Sequence, residues 1–150
     1  MMWISQATGY SIPEPPNLLF VETSEEMFNI AHECHNKENA LWCKEYKETQ
    51  DTGDFEAGSN ILGLYDRKTK TILLKKSWNA ESIVDRSILL HELVHHLQYE
   101  NETVDRCKGE IEQEAYEVQD EWLKQYGTNI FDALNLGYLY YLTIITCQLL

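Results

Sequence analysis

Three histidines and two glutamates fall within residues 91–100 of the stretch LLHELVHHLQYE. Its first part, HELVH (residues 91–95), has the H-E-x-x-H form. Residues four apart on an α-helix differ by about 40° around the axis and stand one turn apart, so the imidazoles of His91 and His95 can reach one metal ion. Glu92 sits about 100° round from His91, within reach of a water on such an ion without being a ligand itself. The grouping is that of a zinc site with a base beside it. The plainer alternative is a solvent-facing helix whose histidines pair with nearby acids.

Leu89, Leu90, Leu93, Val94 and Leu97 gather on one side of the same helix, with His91 and His95 roughly opposite their centre. The helix can bury its leucines and present both histidines to a cleft. His96 points about 100° away from His95 and belongs to the cleft or supports a ligand. Structural zinc sites are closed by four protein ligands, whereas catalytic ones use three and leave room for water. No histidine follows His96, which excludes the three-histidine H-E-x-x-H-x-x-G-x-x-H arrangement. A downstream glutamate is left, and GEIEQEAYEVQDEWL (residues 109–123) offers several on one expected helix.

Glu112 and Glu114 diverge by about 160° on that helix, so they cannot both face one ion. Ile111, Ala115, Val118, Trp122, Leu123 and Tyr126 define a broad buried face that takes in Glu112 beside Gln119. Glu114 lies toward the opposite edge, where Glu121 and Gln125 suggest water. The small side chain of Ala115 lets this helix approach the HELVH helix closely.

HELVH followed by EQEAY (residues 112–116) resembles the gluzincin zinc metallopeptidases, in which a helix bearing E-x-x-A-D or E-A-x-x-D follows the H-E-x-x-H helix. The likeness covers about residues 60–125 and is of the minimal kind that keeps little beyond this core. It implies zinc ligands at His91, His95 and Glu112 and a general base at Glu92, with Glu114 competing as third ligand by the E-A form. Zinc would lower the pKa of a bound water, and Glu92 would take the proton as the scissile carbonyl is attacked. The oxyanion then needs a further donor, for which Tyr99, His96 and Tyr116 are candidates. The chain departs from the family at Tyr116, where an acidic residue orients a ligand histidine. That tyrosine either bonds in its place, serves the oxyanion or only packs. The resemblance also implies an edge strand above the active helix that holds extended substrate.

The elements that must position these groups are readable too. SIPEPP (residues 11–16) is barred from regular structure by its prolines and leads into a strand, NLLFVE. TSEEMFNIAHEC opens like a helix capped by Thr23 or Ser24. Residues 48–60 read as a loop, and ILGLYD and KTILLKK flank RKTK as a β-hairpin. One helix should run from Asn79 or Ser82 through Tyr99, a second from about Lys108 to Tyr126 with Gly127 ending it. One or two more should follow, interrupted near Gly137. The sum is α+β: a small antiparallel sheet and hairpin packed on the metal-site helix, then the glutamate helix and C-terminal helices, in one domain over residues 1–150.

With 12 Lys and Arg against 25 Asp and Glu, the net charge of −13 argues against a nucleic-acid partner. The apolar tail GYLYYLTIITCQLL is shorter than the roughly 18 residues of a spanning helix, so it reads as a buried core helix, with Tyr138, Tyr140 and Tyr141 in the core. No membrane span is expected. Cys34, Cys43, Cys107 and Cys147 permit two disulfides, and Cys107 can meet Cys147 if the tail folds back. They suit a periplasmic or secreted setting if a leader has been removed, and a cytoplasmic one otherwise. His32, His35 and Cys43 form a lesser metal-site candidate. The expected function is that of a zinc metalloendopeptidase acting on a peptide or protein substrate, with SIPEPP a candidate to lie across the cleft. The alternative is a non-catalytic zinc module that regulates or binds a partner. Glu92 favours the enzyme, because a structural site has no use for a base beside its metal.

Overall fold

Pro13, Pro15 and Pro16 keep the chain irregular up to the first strand, as their fixed φ demands. The computed structural model describes residues 1–32, 62–101 and 106–147, with backbone alone at 28, 29, 31 and 32. The loop expected over 48–60, any Cys34–Cys43 pairing and the side chains of His32, His35 and Cys43 lie outside the described residues. In chain order the elements are α1 (Met2–Thr8), β1 (Asn17–Val21), α2 (Ser24–His32), β2 (Gly63–Asp66), β3 (Thr71–Lys75), α3 (Ile83–Glu100), α4 (Lys108–Lys124), α5 (Ile130–Ala133) and α6 (Tyr138–Ile145). The class is α+β. The chain divides into two compact units, one of Asn17–Trp78 and one of Met1–Pro16 with Asn79–Leu150.

In the first unit, Asp66 builds the hairpin turn. Its carboxylate accepts from Lys68 N at 3.0 Å and Thr69 Oγ1 at 2.6 Å, and Lys70 closes the turn at φ 51°. β2 and β3 pair antiparallel, as the hairpin pattern requires. β1 lies on the other side of β3 and runs parallel to it, with Leu19 opposite Leu73, so the sheet is mixed rather than wholly antiparallel. The connection from β1 to β3 includes α2 and β2, and a long crossover of this sort permits parallel pairing where a tight turn does not. The central strand is buried on both faces at Ile72, Leu73 and Leu74. Val21, Met27 and Leu73 form the core of this unit.

In the second unit α3 begins at Ser82, whose side chain accepts from Asp85 N at 3.1 Å, while Asp85 accepts from Asn79 N at 2.8 Å. α4 begins at Cys107, whose N–H donates to Glu110 at 3.1 Å, and the turn after it passes through Gly127 at φ 77°. Leu90, Val94 and Leu97 of α3 pack with Ala115 and Val118 of α4 and with Ile4 of α1. α1 is a helix that composition did not announce. Met1 gives it no side-chain cap, and Ile4 is its one buried residue.

The tail differs from its expected place in the core. α6 forms, but none of its residues is buried, and Leu139 is 79% exposed. A Cys107–Cys147 disulfide with Cα atoms 5.9 Å apart ties its end to the start of α4. Gly109 allows that approach, since a Cβ there would stand 2.5 Å from the carbonyl oxygen of Ile145. A covalent tie and contacts of Tyr141 with Tyr116 and Phe131 thus stand in for burial. No helix among the described residues is long and apolar enough to cross a membrane.

Candidate metal centre

The i, i+4 spacing on α3 brings the His91 and His95 rings to a centroid distance of 4.8 Å, with Nε2 atoms 3.1 Å apart. Across from them, Glu112 of α4 places Oε2 3.4 Å from each Nε2. These three residues can hold a metal ion. Ala115 is fully buried between the two helices, as the small residue at a close crossing should be. His91, His95 and Glu92 are each less than a tenth exposed. α3 is buried more widely than a single leucine face predicts: its histidine side is covered as well, while Leu89 and Leu93 are only half-buried.

Two glutamines set the imidazole tautomers. His95 Nδ1 lies 2.9 Å from Gln98 Oε1, and His91 Nδ1 lies 3.0 Å from Gln119 Oε1. The amide orientation of Gln98 follows from its neighbours, because its nitrogen donates to the Ile111 carbonyl at 2.9 Å and to Glu114 Oε2 at 2.8 Å. The Gln119 nitrogen donates to Ser87 Oγ at 3.0 Å, and that hydroxyl gives its own hydrogen to the Val84 carbonyl at 2.7 Å. Both glutamines therefore turn oxygen toward histidine. Each Nδ1 is then an N–H donor, and Nε2 is the nitrogen left to take a metal.

The electrostatics favour positive charge at the centre of the triangle. Burial pulls His95 down, but the hydrogen bond and charge of Glu112, the charge of Glu92 and the bond to Gln98 outweigh it and raise the ring to about 9. Glu112 is pushed up by burial and pulled down further by both histidines, ending well below the usual carboxylate range.

Glu114 is not turned to water. Its Oε2 accepts from Arg106 Nη1 at 2.5 Å, Tyr10 Oη at 2.8 Å and Gln98 Nε2 at 2.8 Å. The opposite edge of α4 is therefore a half-buried polar cluster there, built by residues from outside α4 that a helical wheel does not contain. His96 donates from Nε2 to the Glu14 carbonyl at 2.8 Å, so that nitrogen is engaged by the N-terminal segment. Tyr116 stacks edge-on against His91 at 4.5 Å, and the orienting role left open for it falls to Gln119. Burial, then the charges of Glu112 and Glu92, raise its phenol far above the ordinary value, which keeps it an O–H donor. Cys107, Glu110 and Cys147 form a second grouping, in which the disulfide and the helix cap already engage the side chains.

Gln98, Gln119, Ser87, Tyr10 and Arg106 were not among the residues read as a site. Spacing held a signal for the glutamines: Gln98 is three residues past His95, and Gln119 lies two turns along α4 from Glu112.

An α+β chain with two histidines and a glutamate converging from adjacent helices is the class that fold and site define. The chain belongs to the family described as Domain of unknown function (DUF6647), whose model matches residues 35–131, the stretch that carries all three of these side chains. No curated protein and no solved structure matches it.

Proposed function

We propose that this protein is a zinc-dependent metallopeptidase that hydrolyses peptide bonds, with His91, His95 and Glu112 as ligands and Glu92 as general base. The observation that carries the reading is the triangle of ligand atoms, with edges of 3.1, 3.4 and 3.4 Å. Bonds of about 2.0–2.1 Å arranged tetrahedrally place neighbouring ligand atoms about 3.3–3.4 Å apart. Among the described residues three protein ligands converge rather than four, which leaves a position open, as in hydrolytic zinc sites.

His91, His95 and Glu112 would hold a zinc ion, which would supply Lewis acidity toward water and the scissile carbonyl. Glu92 takes the proton of the attacking water and returns it to the departing amine. Its electrostatic reach to both His95 and Tyr116 agrees with a place at the same centre. Tyr116 offers its phenolic hydrogen to the developing oxyanion. Gln98 and Gln119 keep the ligand nitrogens aimed.

The test is turnover of a quenched peptide library by the purified protein, with and without chelator, beside a measurement of bound metal. Glu92→Gln should keep the metal and lose hydrolysis by about 10²–10⁴-fold, since the amide cannot accept the proton. Equal cleavage by both proteins removes Glu92 as the base. Stoichiometric zinc without cleavage of any peptide moves the reading to a non-catalytic zinc module.

A further inference from the structure

The two ligand histidines are supported in unlike ways. His91 leans on Gln119 and Gln119 on Ser87, all within α3 and α4. His95 leans on Gln98, and the amide nitrogen of Gln98 is held by the Ile111 carbonyl and by Glu114. Glu114 is fixed in turn by Tyr10 at 2.8 Å and Arg106 at 2.5 Å, and Arg106 also reaches Tyr10 Oη at 3.2 Å and the Glu110 carbonyl at 2.8 Å. Tyr10 comes from the N-terminal segment, which is well anchored. Ile4 sits in the core, Ser11 exchanges hydrogen bonds with the Asn101 side chain at 2.9 and 3.0 Å, and the Glu14 carbonyl accepts from His96.

We infer that Tyr10, Arg106 and Glu114 are positioning residues for the ligand His95, acting through Gln98, and that residues 1–16 are part of the metal centre rather than a cover over it. The inference rests on the metal reading of the site and not on peptide hydrolysis. Its chemistry is that of an amide which can turn either way. The Gln98 side chain is wholly buried and presents oxygen on one side and nitrogen on the other. A carboxylate at Glu114 accepts only, so it holds the nitrogen and directs the oxygen to His95. Without that carboxylate only the Ile111 carbonyl still holds the nitrogen, and Arg106, a donor in need of an acceptor, draws the amide toward the flipped form. The flipped amide presents N–H to His95 Nδ1, which shifts the ring hydrogen to Nε2, and Nε2 in that form has no lone pair for a metal. Tyr10 adds one more donor to the same carboxylate oxygen and holds it in line. Removal of residues 1–16 therefore weakens metal binding, the reverse of what an inhibitory cover would show.

Cobalt(II) titration of the full chain, read by the visible absorption of the bound ion and paired with thermal midpoints, tests this. Tyr10→Phe and Glu114→Gln should each weaken cobalt binding by about tenfold or more, the usual consequence of losing support behind a ligand. Asn101→Ala loosens the same N-terminal segment at Ser11 without touching Glu114, and should bind cobalt as the unaltered chain does. Gln98→Glu in the Glu114→Gln background restores an acceptor for His95 Nδ1 at the loss of the donor to the Ile111 carbonyl, and should regain part of the affinity. Tyr10→Phe removes a single hydroxyl, so it decides the matter if Glu114→Gln does not fold. Unchanged affinity in Tyr10→Phe and Glu114→Gln overturns the relay alone, and so does an equal loss in Asn101→Ala. An unaltered chain that takes up no cobalt overturns the centre and the relay together.

Discussion

Glu112 and Glu114 stand two residues apart on α4 and carry the same carboxylate into two different settings. Their side chains are 20% and 23% exposed, and both are held below the ordinary carboxylate value, Glu112 well below it, so surface exposure alone does not distinguish them. Their partners do. Glu112 faces two imidazoles, which can give up a proton and offer lone pairs to an ion. Glu114 faces a guanidinium, which stays charged throughout the accessible pH range and offers only donors. The positive charge opposite Glu112 is exchangeable, and that opposite Glu114 is fixed. One side of the helix can serve as a binding site, and the other holds that site in shape.

The largest effect should follow from removing each carboxylate in turn. Glu112→Ala takes away one of the three proposed ligands and should leave no stoichiometric metal after dialysis, as should His91→Ala or His95→Ala. Glu114→Ala keeps every ligand and should retain metal with reduced affinity. Elemental analysis of the four purified variants checks this. Metal lost from Glu114→Ala and kept by Glu112→Ala would reverse the assignment of the two sides.

Much of this difference was legible in the chain, and its limits have physical causes. HELVH at helical spacing specified two candidate ligands, because i and i+4 share a face whatever the rest of the fold does. Glu112 was favoured over Glu114 by the apolar positions around it, a property of α4 alone. The capping residue Ser82, the stop at Gly127 and the break at Gly137 were local signals, and the elements obey them. What the wheel could not show was the environment of Glu114, since Tyr10 and Arg106 reach it from segments that α4 does not specify. The same reason hid the parallel pairing of β1, which depends on the path of the intervening chain. It also hid the exposure of α6: apolar composition predicts burial only where a partner surface exists to receive it.

Ala115 follows Glu114 directly in sequence, one turn on from Glu112, and has no exposed surface. Ala115→Leu should force α3 and α4 apart, with an overpacking cost of about 1–3 kcal/mol. Unlike Glu112→Ala it should disturb both sides of α4 at once, lowering the urea midpoint and weakening metal binding in one protein. A loss of stability with metal affinity untouched would show that the crossing distance does not govern the triangle.

The smallest effect is the most specific to the Glu114 side, and it depends on pH. Burial raises this carboxyl, but hydrogen bonds from Gln98, Arg106 and Tyr10 and the charge of Arg106 hold it below its ordinary value of 4.5. A carboxylate depressed on folding adds stability that is fully present above its unfolded pKa and is lost as pH falls through the folded one. Glu114→Gln should therefore cost about 1–2 kcal/mol at neutral pH, where the charged hydrogen bonds are lost. The gap to the unaltered chain should narrow as pH falls from 4.5 toward the folded value. Comparing these two proteins in urea melts, both stripped of metal, cancels the parallel titration of Glu112, which both retain. The sign is the decisive part. A gap that stays constant well below 4.5, or widens there, would mean that Glu114 does not carry its charge against Arg106 in solution, and the contrast between the two faces of α4 would fall with it.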